Sequence, residues 1–251
     1  MKRIVQAVLV LLLLGVVKLP LEERLTKRLR EERLLSPPLS LDVRESVGQM
    51  SFAAALGGLR SLVASIVSLE AYTAFENVDW AKVDSLYQLV TRLQPRASTY
   101  WEDASWHMAY NAASSYLYNQ ELTGPVRGRL YEEHVRRGIE ILEEGLTFLP
   151  NSERLWARLG DIYKHRTKEP QKAAEAYLKA FAHGGQAFLQ RAAAYELAMM
   201  PDDDSQRRAL ELLKERYDAG DRHPTLVKEV RRLEEKFNVP TMQRIPAGAE
   251  R

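Results

Sequence analysis

The chain is 251 residues long, with 45% hydrophobic and 28% charged residues, a make-up that fits a folded globular protein rather than a disordered one. Its 36 basic and 34 acidic residues leave a formal charge of +2, too small a balance to argue for nucleic acid. Cysteine is absent, which removes disulfides, thiolate metal sites, cysteine nucleophiles and lipidation on cysteine, and suits an oxidising compartment.

Lys2 and Arg3 precede residues 4–17, which are apolar apart from Gln6 and Gly15. Lys18 interrupts the run and Leu19-Pro20-Leu21 extends it weakly. Eighteen helical residues span about 27 Å, just short of a hydrocarbon core of about 30 Å. The charged start and apolar middle also fit a secretory signal, but Val16, Val17 and Lys18 make a poor small-x-small cleavage site. Residues 1–20 therefore read as an uncleaved single-pass membrane anchor, with a cleaved signal or a buried soluble helix as alternatives. Orientation is divided. Lys2 and Arg3 hold the N-terminus inside, whereas Lys18, Arg24, Lys27, Arg28, Arg30 and Arg33 argue for the opposite side. The signal-like order favours export of the bulk of the chain.

Residues 21–47 form a juxtamembrane unit. Leu21, Leu25 and Leu29 recur every fourth residue in a charged amphipathic helix, read either as a solvated continuation of the anchor or as a helix lying on anionic lipid. Interleaved glutamates such as Glu23, spaced to pair with Lys27, favour the solvated reading. Ser36-Pro37-Pro38 ends that helix and opens a linker over residues 36–47.

The folded part starts near residue 48. Met50 to Leu69 carries one charge, Arg60, and many small residues, so a second membrane span is one reading of it. Arg60 near its middle costs about 2.5–3.5 kcal/mol on an insertion scale, which favours a first helix of a soluble stack. Asn77-Val78-Asp79 makes a turn into residues 80–93, where Val83, Tyr87 and Val90 step by four and three before Pro95. Six residues after Pro95 stands Trp101, opening a helix through Ala104, Met108 and Tyr110 to about Tyr118. Residues 119–126 read as a long loop. The partner helix over 127–148 carries Gly138, Leu142 and Gly145, then Pro150, in the same four-three-five spacing. Glycine in such notches costs about 1 kcal/mol of helix propensity but permits close approach.

Pro150 is again followed after six residues by Trp156. Residues 151–185 place Trp156, Leu159, Gly160 and Tyr163 on one helix and Ala173, Tyr177 and Ala180 on the next. That unit resembles a tetratricopeptide (TPR) repeat, two antiparallel helices in which large residues fill small-residue notches. Gly184-Gly185 caps it. Phe188, Ala192 and Tyr195, then Ala209, Leu213 and Tyr217, continue the helical faces, with Asp202-Asp203-Asp204 as an acidic cap. A helix from His223-Pro224 to Phe237 has an apolar seam of Leu226, Val230, Leu233 and Phe237 beneath a charged face, as a terminal cap requires. Residues 239–251 read as a loose tail.

Gly57-Gly58-Leu59-Arg60 and the segment from Trp106 to Asn111, which ends in Met-Ala-Tyr-Asn, make residues 56–114 similar to a group of bacterial N-terminally anchored TPR proteins. That resemblance implies an all-α, TPR-like α-α superhelix with one N-terminal transmembrane helix, and brings no activity with it. Leu62 and Val67 stand where that group usually has tryptophan, so the first repeat is expected to pack less tightly.

No catalytic or nucleotide-binding motif occurs, and His107, His134, His165, His183 and His223 have no metal spacing. The sequence therefore reads as neither an enzyme nor a holder of metal or cofactor, with no nucleic acid or small-molecule substrate inferred. The inner helices offer better material for binding. Arg154, Arg158, Asp161 and His165 follow a four-three-four step on one stripe, and Thr99, Asp103, Trp106 and Tyr110 form the matching stripe before it. The candidate groove is Asp103, Trp106, Tyr110, Arg154, Arg158, Asp161 and His165, offering guanidinium groups for carboxylates and rings for apolar side chains. The competing reading makes Trp106 and Tyr110 core. Ser68, Tyr72 and Asp103 stand where a chaperone-tail carboxylate clamp needs Lys and Asn, which argues against that clamp. Residues 48–238 are thus expected to hold three to four TPR-like units plus a capping helix. The expected function is a membrane-tethered scaffold or assembly factor for other proteins at a bacterial inner membrane, its soluble part periplasmic. A permanent structural subunit of a larger membrane complex is the alternative.

Overall fold

The computed structural model describes residues 59–246, together with Leu25 and Arg28, which are helical and exposed. The anchor, the linker and residues 48–58 lie outside the described residues. Among the described residues the chain is all-helical, and no helix is long and apolar enough to cross a membrane.

The helices are α1 (Arg60–Glu76), α2 (Trp80–Leu93) and α3 (Ser98–Trp106), which runs on through a π-helical segment (His107–Ala112) into α4 (Ala113–Tyr118). Then come α5 (Gly124–Phe148), α6 (Glu153–Ile162) with a second π segment (Tyr163–Thr167), and α7 (Pro170–Ala182). The stack finishes with α8 (Ala187–Ala198), α9 (Asp203–Asp218), α10 (Pro224–Lys236) and a 3₁₀ turn (Thr241–Gln243). The α3–π–α4 rod is unbroken, since Trp106, His107, Ala112 and Ala113 all keep right-handed helical dihedrals.

Local chemistry explains where the elements begin. The Asp79, Ser152 and Asp202 side chains accept from the backbone N–H of Lys82, Leu155 and Ser205, each satisfying a donor that a helix start leaves orphaned. Helix α5 starts three residues earlier than the spacing predicts, because Pro125 fits the first turn, where its missing N–H is not needed. The long loop shrinks accordingly. Lys168 adopts left-handed dihedrals (φ 59°) and ends the second π segment, while Gly184 (φ 94°) turns the chain out of α7.

Each helix packs mainly on its neighbours in the chain, and α3 also reaches α6 across the hairpin between them. The core is accordingly a strip rather than a ball. One group of buried side chains runs from Val63 to Ala176, a second from Ala173 to Ala193, and a third from Ala194 to Leu233. Trp156 and Tyr163 touch both the first and second groups, and Leu178 and Leu197 touch both the second and third.

The proline–tryptophan spacing has a direct cause. Trp101 Nε1 donates to the Pro95 carbonyl at 2.9 Å, and Trp156 Nε1 donates to the Pro150 carbonyl at the same distance. Each proline ends a helix and leaves its carbonyl for the indole of the next. The glycine notches are filled as expected. A Cβ on Gly145 would lie 2.9 Å from the Trp101 ring, one on Gly160 would lie 2.7 Å from the Tyr177 ring, and one on Gly138 would lie 2.6 Å from Ala109 Cβ.

The chain after α10 is not loose as far as residue 246. Glu234, 1% exposed, accepts from Lys214 Nζ at 2.9 Å and from the Ile245 backbone N–H at 3.1 Å. Arg244 Nε donates to the Val239 carbonyl, closing the fold-back. A buried carboxylate needs such donors, and here the tail supplies one.

The two indole bonds differ in burial, which separates their energetic roles. Trp101 is 1% exposed, whereas Trp156 is only partly buried. Trp101→Phe leaves a buried carbonyl unsatisfied and is expected to cost about 1–3 kcal/mol in urea unfolding, while Trp156→Phe costs less than about 1. Equal losses would show that the two bonds do not do different work.

Candidate functional site

The inner stripes meet where α3 and its π segment face α6 and its π segment. Glu102, Trp106 and Tyr110 step by four along the α3 rod and share its inner face. Trp106 is 49% exposed and stacks on Tyr110 with ring centroids 4.3 Å apart and planes 15° from parallel. The pair therefore lies at the surface and not in the core. Arg166 places its guanidinium 4.2 Å from the Tyr110 ring centroid and donates to Ser114 Oγ at 3.2 Å. The sequence stripe expected His165 in this position. The π segment changes that register: its wider turn pairs residue i with i+5, so Arg166 follows Asp161 inward, and His165 is exposed to solvent.

Beside this stack lies an open concavity of about 660 Å³, lined chiefly by Phe75, Val78, Trp80, Trp106, Tyr110 and Tyr118. Asn111, Ser114 and Ser115 add hydrogen-bonding groups along the rod, and Arg166 and Glu76 are its ionic members. Tyr118, at 73% exposed, stands at the rim. Rings interspersed with short polar side chains suit an extended chain segment, which offers apolar side chains and a backbone needing partners.

The expected arginines are engaged elsewhere. Glu102, 7% exposed, receives Arg158 Nε at 3.3 Å and Arg154 Nη2 at 3.3 Å, with Arg154 Nε in ionic contact at 2.8 Å. Arg158 continues to Asp161 at 3.4 Å, and Asp161 accepts from Tyr177 Oη at 2.9 Å. Arg154, Arg158 and Asp161 are thus brought together as one network with Glu102 at its centre, a residue the spacing argument passed over. Its four-residue step to Trp106 and Tyr110 was the available signal. Asp103 is exposed on α3 beside this network. Loss of hydration and the adjacent Glu102 carboxylate push its carboxyl above the usual range, against the pull of Arg154 and Arg158.

Behind the stack, His107 packs between Phe75 and Tyr87 at centroid distances of 4.9 and 5.4 Å, and burial lowers its pKa. Burial also pushes the Tyr87 and Tyr110 hydroxyls up to about 12, helped by the Asp103 and Asp161 charges respectively. Tyr177 is raised further by burial and by its bond to Asp161. Among the described residues, no three His, Cys, Asp or Glu side chains gather in a way that could hold a metal ion. No family model matches the chain, and neither does any curated protein.

Burial makes the Glu102 network asymmetric. Arg154→Ala with Arg158→Ala strands a buried carboxylate and is expected to cost about 2 kcal/mol or more, whereas Glu102→Gln frees two half-exposed arginines that water can solvate and costs about 1. Urea unfolding of both variants checks the order, and a larger loss for Glu102→Gln would refute it. The tyrosines predict an alkaline effect of definite sign. A hydroxyl whose folded pKa is raised contributes stability that is full below the unfolded value near 10 and is lost as pH climbs through the folded value. Tyr177→Phe therefore lowers the melting temperature at pH 7 but flattens its decline between about pH 10 and 12, as melting curves across that range will record.

Proposed function

We propose that this chain is a membrane-tethered protein–protein interaction scaffold or assembly factor, a TPR-like α-α superhelix whose inner groove holds a segment of a partner protein. The observation that carries the reading is the solvent-facing Trp106–Tyr110 stack, capped by Arg166 at the edge of an open concavity. Large rings left in water on the inner side of a helical stack are costly to keep unless something covers them, and aromatic anchors dominate the energetics of such contacts. The superhelix part of the reading draws on the twice-repeated indole–proline bond and on ring-in-notch packing at Gly145 and Gly160.

On this reading the tether is the apolar run over residues 1–20 at a bacterial inner membrane, and the signal-like order of charges supports a periplasmic groove. The partners are other proteins of that membrane or compartment. The groove reads apolar side chains first. Arg154 and Arg158 already share a buried carboxylate, so their charge is not a free offer to a partner.

Affinity purification of the full chain from solubilised membranes, with quantitative mass spectrometry, tests the groove. Trp106→Ala combined with Tyr118→Ala is expected to reduce capture of the specific partners at least tenfold, equivalent to about 1.4 kcal/mol, while leaving the helical circular dichroism unchanged. Reversing Arg154 and Arg158 to Glu is a poor probe, since it sets two carboxylates against Glu102. Full retention of partners at fixed stoichiometry by the aromatic double variant would favour the other reading, a permanent structural subunit of a larger membrane complex.

A further inference from the structure

Helix α1 is apolar on two sides. Val63, Ala64, Val67, Ala71 and Ala74 are buried on one side, where the helix packs on α2. Leu59, Leu62, Ile66, Leu69 and Tyr72 lie on the other, between 44 and 69% exposed. The first four step by three, four and three, the spacing of a seam that meets another helix. The exposed residues among them are small, Ser61 and Ser65, and the one carboxylate within the stretch, Glu70, is held by Lys82 at 3.0 Å. A helix with an apolar stripe on each of two sides is normally covered on both.

The opposite end of the stack shows a finished terminus. There α10 turns Leu226, Val227, Val230 and Leu233 inward, and its outer side carries Lys228, Arg232, Glu235 and Lys236, which a solvent-facing last helix needs. On α1 the exposed polar residues, Ser61, Ser65, Glu70, Thr73 and Glu76, are interleaved with the five exposed apolar side chains.

We propose that the flank formed by Leu59, Leu62, Ile66, Leu69 and Tyr72 packs against the same flank of a second copy of this chain, the two α1 helices running antiparallel with Ile66 beside the twofold axis. Five large side chains about half exposed amount to at most roughly 500 Å² per copy and about 1,000 Å² for the pair, the lower bound for a specific interface. A twofold contact requires a self-complementary surface, and a stripe without facing like charges is one. The antiparallel sense opposes the helix dipoles and brings the Arg60 end of one helix to the Glu70 and Glu76 end of the other. The inference does not depend on what occupies the groove.

The chain has no cysteine, so single introduced cysteines can form disulfides only between copies. In the full chain solubilised from membranes, Ile66→Cys is expected to give a disulfide-linked dimer on mild oxidation. Leu59→Cys and Thr73→Cys are each expected to form no disulfide alone and to cross-link when co-expressed. Native mass spectrometry should find a dimer of the unmodified chain, and Leu62→Glu with Leu69→Glu should weaken that dimer at least tenfold at unchanged circular dichroism. A monomeric parent chain, or a dimer indifferent to the double glutamate, overturns the proposal, whether the flank then proves to be covered by residues 21–35 or by another protein. Cross-linking of Leu59→Cys alone as readily as Ile66→Cys overturns the antiparallel arrangement.

Discussion

How closely one helical hairpin can approach the next is decided where a tryptophan ring enters a glycine notch. Trp101 meets three constraints at once. Its N–H ties α3 to the Pro95 carbonyl that closes α2, its ring stacks on Phe148 at 5.9 Å, and its face occupies the space a side chain at Gly145 would need. The α2–α3 turn and the α3–α5 crossing are therefore set by one side chain. Gly160 and Tyr177 repeat the notch one hairpin later, and there the ring's hydroxyl also fixes Asp161. Helix propensity favours neither glycine. The gain lies in packing density, which falls off steeply with even a small gap between surfaces.

The two π segments give the inner face its particular side chains. A π turn has poorer hydrogen-bond geometry than an α turn and persists only where the surroundings reward the altered register. Both segments lie on helices that border the concavity. The first carries His107, half-buried between Phe75 and Tyr87, and Tyr110, which supports Trp106. The second brings Arg166 across to Tyr110 and Ser114, while Tyr131 Oη donates to the Arg166 carbonyl at 3.2 Å. The groove is thus tied into the core behind it and is not a loose surface feature.

Those same turns mark the limit of what the sequence makes legible. Helix positions, three of the N-caps and the proline–tryptophan junctions follow from local rules, because each depends on residues within one or two turns of each other. Arg166 does not, since a strict 3.6-residue period assigns the inward position to His165. Glu102 was hidden for a different reason. It follows the core residue Trp101, and only the tertiary approach of α6 shows that a carboxylate there has two guanidinium partners. Glu234 likewise looks like one more charge on a solvated helix until the fold-back of residues 239–246 buries it. In each case a long-range contact overrides a pattern that is correct locally.

Glu102 also separates the part of this face that holds the fold from the part whose side chains are left to solvent. A ligand that drew Arg154 and Arg158 to its own carboxylates would leave Glu102 buried with no compensating charge, so any affinity gained would be offset by the cost of an unpaired ion in a poor solvent. Trp106 and Tyr118 carry no such obligation. Their outer ring faces are already in water, and covering them releases that water without breaking a contact in the core. Sequence change at those rings leaves the stack intact, whereas change at the arginine pair loosens it.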